Sequence, residues 1–262
     1  MKRIVSRANA TFKSLRALKD SARARRAQGQ TLLDGAHLVR AYLASVGQPR
    51  LAAVSSDACE TAEIADLLRM LDSTRVICFS APLFAQVTPV DNATGILALV
   101  DIAKPPGTCV PAGFVILLDR IQDPGNVGAI IRSAAGAGAD ALILGQGCAD
   151  PWSPRALRAA MGATFSLAIH ADCDLGRYAG RFEGKVVATS GRGGVPPSDI
   201  DLTGPVAMIF GSEGAGLSPP LTEIATITAS IPLADPIESL NVGAAAAVLM
   251  FERVRQLGAK SR

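Results

Sequence analysis

The sequence predicts an α/β protein in two domains, and three observations carry that reading. Short apolar runs of strand length alternate with segments of helical periodicity along the chain. A Lys104-Pro105-Pro106-Gly107 break separates a shorter series from a longer, more regular one. The 262 residues are 49% hydrophobic but only 4% aromatic, which provides a large core of small and branched aliphatic side chains. Residues 1–103 are therefore assigned to a first domain, 104–112 to a linker and 113–262 to a second domain.

In the first domain, residues 11–28 read as a helix with Phe12, Leu15 and Leu18 on one face and basic residues on the other. An apolar stretch at Thr31–Leu33 and the Asp34-Gly35 turn lead into a helix at Ala36–Ala44. Leu51–Val54, Arg75–Phe79 and Gly95–Val100 read as strands, with a helix at Ala62–Leu71. Beyond the linker, strands are predicted at Phe114–Leu118, Ala141–Leu144, Ser166–Ile169, Val186–Thr189, Val206–Phe210 and Thr226–Ile231. Helices are predicted at Val127–Ala137, Pro154–Met161 and Ser239–Leu257. Continuous apolar strands between helices imply a mostly parallel sheet covered on both faces.

Charge is unevenly spread. Residues 1–50 carry a net +9 and the remainder −6, within a total of +3. A basic block on a mildly acidic body is the footprint of a polyanion binder; a solvated basic helix is the plainer alternative. Five widely spaced cysteines without a CxxC point to a reduced, cytoplasmic protein without structural zinc. Two histidines, His37 and His170, with no acidic cluster beside them, give no expectation of a metal. Val242–Phe251 is too short to span a bilayer, so no membrane association is expected. The basic N-terminus lacks a secretory h-region and loosely resembles a transit peptide, with Arg and Ser and no acid before Asp20.

Three loops look built for chemistry. The first, Asp119 to Arg132, runs from a strand into a helix and presents Asn126 and Arg132 where open α/β sheets bind ligands. Taken alone, Asn126 reads equally as a helix cap and Arg132 as a surface charge. The second, Gly211 to Ser218, has three glycines that allow a ligand close to the backbone, and a carboxylate at Glu213. The third runs from Ile231-Pro232 to Ser239-Leu240-Asn241-Val242, where Ser239 is a plausible N-cap. No G-x-G-x-x-G stands in the first loop, which argues against a nucleotide-binding oxidoreductase.

In this order, Asn126-Val-Gly128-Ala-Ile-Ile-Arg132, Gly211 through Ser218, and Ile231-Pro232 with Ser239-Leu-Asn-Val242 resemble the SpoU/TrmH branch of the SPOUT RNA methyltransferases. The resemblance covers about 113–258. Asn9, Lys13, Leu15, Leu18, Arg25 and Leu33-Asp34-Gly35 resemble the family's amino-terminal RNA-binding domain. Asp34 stands where that turn usually has Glu, and Gly243 where a serine often follows Asn-Val.

The resemblance implies a catalytic domain with a deep trefoil knot and a small L30e-like RNA-binding domain. It implies S-adenosylmethionine as cofactor, S-adenosylhomocysteine as product and no metal. Thr189, Ser190, Gly191, Gly211, Ile231 and Leu240 would hold the cofactor. The implied reaction is methylation of a ribose 2′-hydroxyl. Arg132 would act on the hydroxyl, with Asn126, Glu213, Ser239 and Asn241 positioning Arg132, the ribose and the cofactor. Lys13, Arg16, Arg23, Arg25 and Arg26 would grip structured RNA. Ribosomal RNA, 23S rRNA above all, is favoured over tRNA because of the two-domain layout. A homodimer through the catalytic domain is implied as well. An RNA-binding protein that has lost the activity is the alternative, opposed by the intact site residues.

Overall fold

The computed structural model of the chain describes residues 1–90, 93–103 and 113–260. The predicted linker, 104–112, lies outside the described residues. Two units emerge, one of residues 1–103 with Trp152–Phe165, the other of 113–151 and 166–260. The segment Trp152–Phe165, inside the second domain by sequence, thus packs with the first unit.

The first unit is built on strands β1 (Lys2–Ile4), β2 (Gln30–Asp34), β3 (Leu51–Ser55), β4 (Val76–Phe79) and β5 (Ile96–Asp101), in the order β1-β4-β3-β5-β2. The sheet is mixed: β1 and β3 run parallel to β4, while β5 is antiparallel to β2 and β3. Side chains alternate between its faces with period two. Leu33, Val54, Cys78 and Ile96 pack on one side with helices α3 (Ala36–Ser45) and α4 (Ala62–Met70). Leu32, Ala53, Ile77 and Leu97 pack on the other with Phe12, Leu15 and Leu18 of helix α1 (Ala10–Asp20) and Leu83 and Phe84 of helix α5 (Ala81–Val87).

The helix predicted over 11–28 is two helices. Ser21 turns extended (φ −131°, ψ 114°), and its hydroxyl accepts the Ala24 N–H to cap α2 (Ala22–Gln28). That break explains a correction. Arg25, assigned to RNA, is buried at 5% exposure. Its Nη1 donates to the carbonyls of Leu18 (2.8 Å) and Lys19 (3.3 Å) in the last turn of α1. The guanidinium satisfies backbone acceptors that a helix end leaves open and is not presented to solvent. Lys13, Arg16, Arg23 and Arg26 are exposed.

The detached segment supplies a helix to this unit, Pro154–Ala160, capped by Ser153. The Trp152 carbonyl accepts the Thr31 hydroxyl at 2.6 Å, and Tyr42 meets Phe165 edge-on at 5.3 Å. Arg158 pairs with buried Asp34 at 3.1 Å, and Asp34 also accepts the Thr88 hydroxyl at 2.8 Å. Burial pushes the Asp34 carboxyl up, against the opposing pull of Thr88 and Arg158. A carboxyl raised above its ordinary value of 3.8 favours the fold while protonated, and that contribution is lost as pH rises through the folded pKa. Asp34→Asn keeps the group neutral. The denaturation midpoint of wild type should therefore fall relative to Asp34→Asn as pH is raised from about that ordinary value, followed by urea titration at each pH.

The second unit is a six-stranded, wholly parallel sheet of β6 (Phe114–Asp119), β7 (Ala141–Gly145), β8 (Ala168–Cys173), β9 (Lys185–Ser190), β10 (Val206–Gly211) and β11 (Ile227–Ser230). Its order is β11-β9-β10-β6-β7-β8. Helix α6 (Pro124–Gly136) follows β6, and the helix at Pro154–Ala160 is α7. Val115, Leu117, Ile143 and Ile209 pack one face against α8 (Leu175–Ala179) and α9 (Pro219–Ile224). On the opposite side, α6 packs with the last helix, α10 (Val242–Lys260). Arg253 of α10 donates to the Leu202 and Gly204 carbonyls and lies 4.8 Å over the Phe114 ring. The chain leaves β6 toward β7 on one side, while β10 flanks β6 on the other. Strand order therefore switches beside β6, where an open parallel sheet splays its loops into a crevice.

Candidate active site

The carboxyl ends of β6, β9, β10 and β11 deliver four loops to this crevice. Asp123 caps α6 by accepting the Asn126 N–H at 3.0 Å, ahead of Pro124 in the first turn. Asn126 is thus not the cap, and its side chain is left to work in the crevice. Asn241, not Ser239, caps α10: its Oδ1 accepts the N–H groups of Gly243 (2.9 Å) and Ala244 (3.3 Å).

That cap orients a chain of polar groups. With Oδ1 committed to helix amides, Asn241 turns its Nδ2 to Asn126 Oδ1, 3.0 Å away. Asn126 must then offer its own Nδ2, which donates to Glu213 Oε1. The result is a directional relay from a helix N-terminus through two amides to one carboxylate. Gly243 makes it compact, since a Cβ there would lie 3.1 Å from Asn241 Oδ1 and 3.5 Å from Ala129.

Beside the relay is a cleft. Thr189, Ser190, Gly191, Gly211, Ile231 and Leu240, the six residues assigned to a cofactor, all line it, together with Glu213 and Ser239. Thr189 is fixed by donating to the Ile209 carbonyl at 2.9 Å. Phe210, Leu233, Val242, Ala245 and Leu249 make the apolar walls. The last three follow helical spacing in α10, a signal present in the sequence but not used to find the site. Gly211 is required by close approach: a Cβ would stand 2.4 Å from the Gly216 carbonyl carbon. Gly211→Ala forces this loop to move; if the cleft holds the cofactor, an overpacking cost of about 1–3 kcal/mol weakens its binding by roughly five- to 150-fold by calorimetry.

Arg132 is not brought into the group. It is exposed on α6, six residues beyond Asn126 and on a different face. It stands between Ala129 and Gly136, whose helix face meets α10: a Cβ at Gly136 would lie 3.7 Å from Phe251 Cζ. Cys148, near the crevice, donates to the Leu118 carbonyl, and burial pushes its thiol up, so it is no activated nucleophile. Among the described residues no group of three or more His, Cys, Asp or Glu side chains is arranged to hold a metal. No described helix is long and apolar enough to cross a membrane.

A glycine-lined cleft with apolar walls and a relay ending at its mouth is the arrangement that the three sequence motifs converge on. Residues 113–251 match the SpoU rRNA methylase family. The chain belongs to that family. Among its SpoU relatives, an uncharacterized tRNA/rRNA methyltransferase of Synechocystis sp. is 34% identical, over 98% of this chain and 95% of its own. The 23S rRNA (guanosine(2553)-2′-O)-methyltransferase RlmP of Bacillus subtilis is 34% identical over 84% of this chain and 86% of its own. The structure of the SpoU methyltransferase AviRb of Streptomyces viridochromogenes in complex with AdoMet superposes with a TM-score of 0.82 at 28% identity, over 95% of this chain and 98% of that one.

Proposed function

We propose that this protein transfers a methyl group from S-adenosylmethionine to a ribose 2′-hydroxyl of ribosomal RNA, with 23S rRNA as the favoured substrate. The observation that carries the reading is the Asn241–Asn126–Glu213 relay at the mouth of the glycine-lined cleft. The match to RlmP extends through most of both chains and so supports the large-subunit RNA.

The cleft suits the cofactor's chemistry. Gly211 and Gly191 leave backbone groups accessible, and Ile231, Leu240 and Leu249 offer an apolar lining for an adenine. When bound, the cofactor supplies a methyl on a sulfonium as the electrophile. The ribose oxygen forms the new C–O bond as the S–CH3 bond breaks, and the sulfur keeps the bonding pair. The hydroxyl proton passes to water or a phosphate. Arg132 stays protonated and stabilises the developing alkoxide rather than accepting the proton. In-line placement of the ribose by Asn126, Glu213, Ser239 and Asn241 supplies much of the rate.

Arg132 reaches that place, in this reading, from a second subunit. Val248, Phe251 and Val254 form an exposed apolar patch on α10, 37–48% exposed, beside the seam with α6. Burying it against a second copy makes a homodimer through the catalytic domain. The chain leaving β11 and threading into α10 follows the family's trefoil knot, and the first unit serves as its L30e-like RNA-binding domain. There, exposed Lys13, Arg16, Arg23 and Arg26 meet phosphates. The protein acts in the cytoplasm.

The deciding experiment adds labelled S-adenosylmethionine and the enzyme to total RNA from a strain lacking the gene, and to RNA from its parent. Label in the large ribosomal RNA of the deletion strain alone, mapping to one ribose, is the expected result. Label in tRNA keeps the chemistry and overturns the substrate. No label in any fraction, with no cofactor binding, overturns the reaction.

A further inference from the structure

The loop that carries Glu213 is held from outside by two residues that do not line the cleft. Asp119 ends β6 and stands in register with Gly211 on β10. It is 6% exposed, and its Oδ2 accepts the Ser218 N–H at 2.8 Å, which ties down the far end of the loop. Arg120 follows with φ +55°, a left-handed conformation that glycine and asparagine adopt readily and arginine does not. Its guanidinium folds back onto the preceding carboxylate, with Nε 3.2 Å from Asp119 Oδ1 and Nη2 3.3 Å from Oδ2. Nη2 also donates to the Gly216 carbonyl at 3.4 Å.

Gly216 is where the loop closes on itself. Its N–H donates to Ser212 O at 2.9 Å, its φ is +64°, and its backbone fills the space beside Gly211. A contact to its carbonyl therefore bears on Gly211, Ser212 and Glu213 together. Left-handed non-glycine residues persist where their surroundings hold them, and they cluster at functional sites. Arg120 is held by Asp119, and its stem packs against Gly147, where a Cβ would lie only 3.3 Å from Arg120 Cγ.

We infer that Arg120 is a positioning residue for methyl transfer. Pinned on Asp119, it holds the Gly216 carbonyl and so sets the Gly211–Ser218 loop against the cofactor cleft and Glu213 against Asn126. The inference rests on the reading of that cleft as the cofactor site.

Arg120→Gly removes the fork and the unfavourable φ at once. S-adenosylmethionine should then bind about tenfold more weakly by calorimetry, the loss of one charge-assisted hydrogen bond, with RNA affinity unchanged. Amide exchange across Gly211–Ser218 should quicken with no cofactor present, and added ethylguanidinium should restore part of the affinity. Should Arg120→Gly fail to fold, Arg120→Lys carries the test. It keeps a charge beside Asp119 but has no fork to span Asp119 and Gly216, and about threefold weaker binding is expected. Wild-type cofactor affinity and unchanged loop exchange overturn the inference. So does a loss confined to RNA affinity, which makes Arg120 an RNA contact. Failure of the underlying cleft reading shows separately, as unchanged cofactor affinity in Gly211→Ala, while the exchange of the loop still reports whether Arg120 holds it.

Discussion

Arg132→Ala is expected to lower kcat by about 10²–10³ while leaving the dissociation constant of S-adenosylmethionine unchanged, the effect of removing one stabiliser of a developing oxyanion. The second half of that expectation comes from geometry. Arg132 is exposed on α6 and does not line the cleft, so its loss takes nothing from the bound cofactor. Arg132→Lys should recover little, because an ammonium does not reproduce a planar fork. Calorimetry and single-turnover methyl transfer measure the two halves independently. If cofactor affinity falls with turnover, Arg132 belongs to the binding cleft and the assignment is wrong. Mixing gives a sharper test. Arg132→Ala and Glu213→Ala are each inactive in this scheme. If Arg132 serves the partner's site, half of a randomly mixed population is heterodimer with one intact composite site, so about a quarter of wild-type activity returns. No recovery means that Arg132 acts within its own subunit.

What the sequence made legible was whatever depends on local pattern. The inner strands of the second unit, β6, β7, β9 and β10, were announced by apolar runs, because a parallel strand buried on both faces leaves little room for polar residues, whereas the edge strands β8 and β11 mix polar and apolar residues. The cleft-lining glycines were equally visible, since a Gly-rich turn after a strand has few other uses. Features that depend on tertiary partners were not. Arg25 looks like one more charge in a basic run, and only the break at Ser21 turns it onto the carbonyls of α1. Asn241 and Ser239 are both acceptable caps by composition. The choice falls on Asn241 because its second polar atom has Asn126 to meet. The short strand β1 and helices α5 and α8 escaped notice, being too brief for a periodic signal. Trp152–Phe165 packs with the first unit through Thr31, Asp34 and Tyr42, each contact bridging more than a hundred residues of sequence.

The stripe on α10 leads to the other large effect. If the proposed homodimer forms through this stripe, Phe251→Glu should convert it to a monomer in sedimentation and abolish turnover, while the fold survives. Phe251 is 48% exposed in the single chain, so a carboxylate there remains solvated once the subunits part. Within an apolar interface the same carboxylate must be desolvated without a partner, at a cost of several kcal/mol. A two-fold interface carries the substitution twice, so a penalty of about 3 kcal/mol per site weakens the dimer by roughly 10⁴-fold. Val248→Glu, one turn earlier on the same stripe, should act alike. Loss of activity alone would not establish the link, since a distorted α10 would also disturb Asn241. Cofactor binding resolves this. The cleft residues all come from one chain, so a monomer with an intact Asn241 cap retains S-adenosylmethionine affinity yet turns over no faster than Arg132→Ala. A Phe251→Glu protein that stays dimeric and active removes the stripe as the interface, and with it the route by which Arg132 reaches a partner's ribose.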